Sequence, residues 1–345
     1  MSCYVRTALI LAISGLAGMP AVARNEDGTL DLVLIPNNGI PAITDTQGTF
    51  EAVLEEEAAL SLSNGSGEWP LAVDWSRRPD GKSLGRCRLE TPIPAGSYTL
   101  QAKAGDRIDS NQRSVYVLEA FPEAYQVAHI TDIHTGTTRH ARPDKEIIAE
   151  VIEAINASEA AFALVTGDLT ENGEPEQFRD FLALLDACRL PTFVVAGNHD
   201  RQDSHYQHFF GPLTYRFFFG PDGYLAFDTK DFMIADEMSG QDGLLHLYRR
   251  QMRAARWSIG FTHRYDVTMG VRAQITLFVD DPLDYIVCGH THREPGEQDG
   301  IPWGSTRLVM TPAAIDGNLR FLTVDNGGVQ SMETISATAA RQEDE

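Results

Sequence analysis

Positive charge is scarce in this sequence. Lysine and arginine total 28 against 49 acidic residues, for a formal charge of −21 over 345 residues. A chain this acidic repels bare nucleic acid and anionic lipid, which argues against a nucleic-acid polymer as partner. Cysteine is also rare. Of four, Cys3 lies at the extreme N-terminus, and Cys87, Cys188 and Cys288 are an odd set without metal-ligand spacing. They read as small buried apolar residues, with one disulfide left open as an alternative. Long apolar runs are missing too. The one near the N-terminus is interrupted by Ser14, Gly15, Gly18 and Pro20, so no stable membrane span is expected. There are no internal repeats.

What that N-terminus does have is the order of an export signal. Arg6 supplies positive charge, Ala8 to Ile13 begin an apolar stretch, and Ala21-Val22-Ala23 is a small-x-small cleavage site. Residues 1–23 are therefore expected to be removed on export to a periplasmic or secreted location. The rest is long enough for two domains with proper cores.

Residues 24–120 carry short alternating runs separated by turn clusters such as Asn64-Gly65-Ser66-Gly67 and Pro94-Ala95-Gly96. This spacing predicts a small antiparallel sandwich, and Ala95-Gly96-Ser97-Tyr98 resembles an immunoglobulin-like corner. Phe121-Pro122-Glu123 marks the boundary. In residues 121–334, strand patterns alternate with helix patterns at Asp144 to Asn156 and Glu174 to Ala187, which indicates α/β layering. Asp325-Asn326-Gly327-Gly328 reads as a hairpin turn, and residues 335–345 as a polar tail.

Five polar clusters stand out, each directly after an apolar strand pattern. They are Thr131-Asp132-Ile133-His134, Thr166-Gly167-Asp168, Gly197-Asn198-His199-Asp200, Thr262-His263 and Gly289-His290-Thr291-His292. Five of the ten histidines fall in them. In α/β sheets, ligands gather beyond the carboxyl ends of strands, so five such strands can aim their side chains at one place. Asp-x-His and His-x-His spacing places alternate residues on one side of an extended segment. The glycines allow sharp exits from the strands. Carboxylates, imidazoles and an amide together suit two neighbouring transition-metal ions, Mn, Fe, Zn or Co.

Each residue alone has a plainer reading. Asp168 can be a cap or turn aspartate, Gly197-Asn198 a tight turn, and His263 an isolated histidine at a strand end. Only the joint pattern favours a site.

The order D-x-H, GD, GNHD, H, GHxH over about residues 125 to 325 is similar to the calcineurin-like metallophosphoesterase superfamily. Within it, Phe209-Phe210-Gly211-Pro212, Tyr215 and Leu225-Ala226-Phe227-Asp228-Thr229 resemble the cyclic-nucleotide phosphodiesterase branch. Asp132-Ile133-His134 lacks the metal-binding tyrosine that follows the bridging aspartate in purple acid phosphatases. The resemblance implies a four-layer α/β fold, a β-sandwich flanked by helices, behind the small all-β domain. It implies that Asp132, His134 and His292 hold one metal ion, that Asp168 bridges two, and that Asn198, His263 and His290 complete the second site. Two such ions acidify a bridging water and clamp phosphoryl oxygens for in-line attack. His199 would protonate the leaving oxygen, with Asp200 orienting its ring or fixing its charge.

Arg201, Arg264 and Arg293 follow ligand clusters and are candidates to bind substrate oxygens, although solvated surface arginine is the simpler reading for each. The aromatic stretch from His205 to Phe219 reads equally as a lid or as a satellite core. His129, His140 and His246 read as structural or exposed. The expectation is an exported dinuclear phosphoesterase acting on a small phosphoester, preferably a diester. The alternatives are a phosphomonoesterase or nucleotidase with the same site, or an exported binding or scaffold protein with a vestigial hydrolase domain.

Overall fold

Alternating burial along short β-rich runs lays the first third of the chain into eight strands. They are β1 (Val33–Ile35), β2 (Ala42–Asp45), β3 (Thr49–Leu54), β4 (Ala59–Asn64), β5 (Gly67–Arg77), β6 (Ser83–Leu89), β7 (Gly96–Ala104) and β8 (Arg107–Leu118). The computed structural model describes residues 27–78, 80–228, 235–264, 276–297, 299–301 and 304–337. The expected export signal lies outside them. The eight strands follow the order β1-β3-β6-β5-β4-β7-β8-β2, wrapped around one core that includes Phe50, Leu62, Leu100 and Val115. The corner anticipated at Tyr98 is present, its hydroxyl donating to the Pro94 carbonyl at 2.7 Å.

Beyond Phe121 come β9 (Tyr125–Ile130), α1 (Asp144–Ala157), β10 (Ala160–Thr166), α2 (Pro175–Ala187), β11 (Thr192–Val195) and α3 (His205–Phe210). They are followed by β12 (Tyr215–Phe219), β13 (Asp222–Ala226), α4 (Ala235–Gln251), β14 (Ser258–Phe261), β15 (Tyr285–Cys288) and β16 (Arg307–Met310). The chain closes with β17 (Asn318–Asp325), β18 (Gly328–Ser331) and β19 (Ile335–Ser336). One sheet runs β11-β10-β9-β17-β18 and the other β12-β13-β14-β15-β16. In α1, Ile147, Ile148, Val151, Ile152 and Ile155 form the buried stripe that the 3.6-residue period predicts. That stripe and the apolar face of α2 cover the outer side of the first sheet. Phe162, Phe193, Phe261 and Val287 lie between the two sheets, and Leu245, Met252 and Phe278 cover the outer side of the second. The result is the four-layer α/β arrangement.

Three local features refine the sequence reading. Most of the His205–Phe219 aromatic stretch is core: Tyr206, Phe209 and Phe210 pack with α1 and α2 and Phe217 stacks on Phe193, while His208 and Phe218 stay exposed. Cys87, Cys188 and Cys288 are free thiols in three separate cores, and burial pushes the Cys87 thiol up to about 12. The start of the polar tail is tied down, because β19 pairs with β17 and Ala337 donates to the Gly317 carbonyl at 2.8 Å. Residues 338–345 lie outside the described set. No helix among the described residues is long and apolar enough to cross a membrane.

The two parts of the chain are interlocked. The Asn37 amide donates to the Phe210 carbonyl at 3.1 Å, and the Val194 amide to the Gly39 carbonyl at 2.8 Å. The sandwich therefore braces the strand that leads into Asn198.

Candidate metal centre

β9, β10 and β11 are parallel neighbours in the first sheet, and β14 and β15 in the second. Parallel pairing puts their carboxyl ends on one edge, so all five polar clusters arrive together. Three groups of potential ligand atoms lie within 4.8 Å of one another: Asp132, His134 and His292; His134, Asp168 and His199; and Asp168, His263 and His290.

Asp168 is the hub. Its Oδ1 accepts the His199 backbone amide at 2.9 Å. Its Oδ2 stands 3.1 Å from His263 Nε2, 3.7 Å from His134 Nε2 and 4.0 Å from His199 Nε2. Asp132 Oδ2 is taken up by Thr131 Oγ1 at 2.8 Å and the His290 amide at 2.9 Å. Asp132 Oδ1 has no donor in hydrogen-bond geometry, although His292 Nε2 stands 3.1 Å away. Asn198 Oδ1 is also buried without a hydrogen bond. Its neighbours Gly197 and His199 both touch Asp168.

The residues reach the centre by a route other than extended alternation. Asp132, His134, Asp168, His290 and His292 have φ of 55°, 50°, 49°, 74° and 55°, in the left-handed region. Such a conformation costs of order 1 kcal/mol or more per non-glycine residue and persists where surrounding contacts impose it. Here the Asp132 amide donates to the Gly167 carbonyl at 3.0 Å and the His134 amide to the Asp168 carbonyl at 2.9 Å. Kinked loops just past the strands aim these side chains, where the pair spacing alone suggested alternation.

Two glycines serve close approach. A Cβ on Gly197 would lie 2.0 Å from Asp168 Oδ1. One on Gly167, whose φ is +86°, would lie 2.6 Å from His263 Cβ.

The tautomers point inward. His263 Nδ1 is 2.7 Å from the Thr166 carbonyl, which can only accept, so Nδ1 carries the proton and Nε2 faces Asp168. Burial disfavours the His263 imidazolium, but the hydrogen bond and charge of Asp168 outweigh it and hold the group up at about 9. His290 sits below the ordinary histidine range through burial first, then the positive charges of His263 and Arg264. His134 Nε2 and His292 Nε2 face each other at 3.3 Å. Two imidazole nitrogens so placed, beside carboxylate and amide oxygens that lack donors, are the surroundings a divalent cation satisfies. The residues fit the metal ions their pattern implies.

His199 is placed differently. Its ring is about a third exposed, and Nδ1 donates to the Glu171 carbonyl at 2.5 Å. Asp200 does not orient this ring as expected. Its carboxylate accepts the amides of Gly197, Leu169 and Thr170 at 2.8, 3.0 and 2.9 Å, and Thr170 Oγ1 at 2.7 Å. It clamps the Asp168 and Asn198 loops together. Burial, then the charge of Asp168, raises its carboxyl above the ordinary value. The sequence reading also missed Glu171, whose Oε2 lies 2.9 Å from His134 Nδ1. Its relevance depends on the isolated bridge between Thr135 and Thr170, which no local pattern announces.

The three arginines separate. Arg293 turns outward to Asp299 at 2.6 and 3.0 Å, the solvated reading. Arg201 donates to the Gly197 carbonyl at 3.1 Å and pairs with Asp228. Arg264 lies within electrostatic reach of His290.

Residues 125–294 match the calcineurin-like phosphoesterase family. This part of the chain belongs to that family. The chain is 25% identical over 217 residues to a "Probable cyclic nucleotide phosphodiesterase" of Rhodopseudomonas palustris, covering 54% of this chain and 79% of that one. It is 29% identical over 83 residues to a second protein of the same description from Xenorhabdus bovienii, covering 22% of this chain and 34% of that one. Among solved structures it is similar to the purple acid phosphatase PPD1 from yellow lupin (Lupinus luteus) seeds. That likeness has 13% identity and a TM-score of 0.49, and covers 83% of this chain and 71% of that one.

Proposed function

We propose that this chain is an exported phosphodiesterase that holds two transition-metal ions, Mn, Fe, Zn or Co. The observation that carries the reading is the gathering of Asp132, His134 and His292 into one group and of Asp168, His263 and His290 into another. Asp168 would bridge the two positions, and Asn198 would complete the second through its unpartnered Oδ1. Preference for a diester rests on the two relatives described as cyclic nucleotide phosphodiesterases. Export rests on Arg6, the apolar run and Ala21-Val22-Ala23.

When bound, the ions would supply Lewis acidity toward phosphoryl oxygens and lower the pKa of a water. The protein's own part is positional and protolytic. Because His199 Nδ1 donates to the Glu171 carbonyl, Nε2 is the nitrogen that gains or loses a proton. It faces the Asp168 side of the cluster, and its partial exposure leaves room for substrate. Protonated there, His199 can deliver that proton to a departing alkoxide, which contributes roughly 10²–10⁴-fold in general-acid catalysis. Arg264, whose charge is felt at His290, would meet a non-reacting phosphoryl oxygen.

The test compares hydrolysis of bis(p-nitrophenyl) phosphate and p-nitrophenyl phosphate by metal-reconstituted protein. Faster diester cleavage supports the proposal. Faster monoester cleavage assigns the same site to a phosphomonoesterase. Inactivity toward both with metals loaded favours a binding protein with a vestigial hydrolase domain.

A further inference from the structure

Glu171 reaches the rings of two different histidines of the centre, one with its side chain and one with its main chain. Its carboxylate Oε2 lies 2.9 Å from His134 Nδ1, a close charge contact outside hydrogen-bond geometry. Its main-chain carbonyl accepts from His199 Nδ1 at 2.5 Å. The backbone between these ends is fixed, because the Glu171 amide donates to the Thr135 carbonyl at 3.0 Å beside the Thr135–Thr170 bridge. The outer oxygen, Oε1, pairs with Arg139, and the side chain is 13% exposed.

We infer that Glu171 is a positioning residue that sets both imidazoles at once, with its carboxylate holding His134 as a metal ligand and its carbonyl holding His199 as a proton donor. A carboxylate beside Nδ1 favours the tautomer with the proton on that nitrogen. The lone pair is then left on Nε2, the atom that faces His292 and Asp168. A negative charge on the far side of the ring also makes that lone pair a better donor to a cation, and loss of such a partner typically costs 10–100-fold in metal affinity. The carbonyl does the equivalent for His199 without charge, leaving Nε2 to exchange its proton with substrate. The two functions reside in different atoms, so side-chain substitution separates them.

The inference rests on His134 being a metal ligand. The experiment is calorimetric titration of the full mature chain with Mn²⁺, comparing wild type, Glu171→Gln and Glu171→Leu, with the Tm of each metal-free protein measured alongside. Gln keeps the volume and an acceptor oxygen but loses the charge, whereas Leu loses both. For Glu171→Leu, Mn²⁺ affinity at one of two sites is expected to fall roughly 10–100-fold. Glu171→Gln should fall between it and wild type, and the second site should be unaffected in both. Unchanged affinity in both variants with a lowered Tm would overturn the inference and leave Glu171 a structural residue. Failure of the wild type itself to bind Mn²⁺ would instead remove the metal-centre reading on which the inference stands.

Discussion

His263 Nδ1 lies 2.7 Å from the carbonyl oxygen of Thr166, the last residue of the strand that delivers Asp168. One hydrogen bond thus joins the two sheets at the centre and fixes the ring with Nε2 toward the Asp168 carboxylate. In sequence His263 is an isolated histidine after an apolar run, and this contact turns its Nε2 toward the Asp168 group. His263→Ala should abolish binding at one metal position and leave the group of Asp132, His134 and His292 able to hold the other. Metal content by mass spectrometry checks this, and two ions retained per chain would contradict it.

Removal of the hub should differ from removal of the proton donor. Asp168→Ala takes away the carboxylate that stands 3.1 Å from His263 Nε2 and 3.7 Å from His134 Nε2, and should empty the centre. His199→Ala should keep its metals and lose roughly 10²–10⁴-fold in turnover, most of all with poor leaving groups. Kinetics over phenolates of graded pKa, with metal analysis on the same samples, read both effects. Equal metal loss in the two variants would refute the division of labour.

Gly197→Ala should damage the centre through a single methyl group. Its Cβ would lie 2.0 Å from Asp168 Oδ1 and 2.2 Å from Asp168 N, so the carboxylate or its loop must shift. Overpacking of this kind costs about 1–3 kcal/mol, and the displaced oxygen should bind metal more weakly. Gly65→Ala is the control, since nothing lies within 4 Å of the added atom. Equal metal affinity in the two variants would show that the tight approach is not needed.

A pH effect on stability should come from His129, buried in β9 behind the centre. Its ring lies 2.8 Å from Thr166 Oγ1 and 2.6 Å from Thr311 Oγ1. Burial first, then the charge of Arg320, lowers it from 6.5 to about 3. The folded pKa is depressed, so the unfolded chain takes up the proton first as pH falls. Stability from the neutral ring is whole above about pH 6.5 and declines from there toward pH 3. Between pH 7 and 5 this amounts to roughly 2 kcal/mol. Urea unfolding of His129→Gln over that range should show a flatter pH dependence than the wild type. Identical slopes would rule His129 out as the source.

Much of the molecule is legible before any coordinates. Ile147, Ile148, Val151, Ile152 and Ile155 mark α1 by period alone, and the Asn326-Gly327 turn joins β17 to β18 as its composition predicts. The five polar clusters are readable because each directly follows an apolar strand, and the structure brings their side chains together. What is hidden depends on contacts distant in sequence. Asp200 next to His199 looks like its partner, yet it binds amides of Leu169 and Thr170, some thirty residues away. Glu171 has no signal until the bridge to Thr135 brings it to His134. The left-handed kinks at Asp132 and His290 carry no sequence signal, because positive φ is uncommon outside glycine even though aspartate and histidine are enriched there. The aromatic stretch is ambiguous in sequence because a lid and a satellite core need the same residues; packing such as Phe178 on Phe209 and Phe193 on Phe217 separates them.

The central claim is that two adjacent ligand groups share Asp168. Its most direct test is metal stoichiometry of the purified chain after reconstitution with Mn²⁺, measured together with bis(p-nitrophenyl) phosphate hydrolysis before and after chelation. The account predicts about two ions per chain, with activity lost on chelation and restored by metal. Full hydrolytic activity in protein stripped of metal would contradict it.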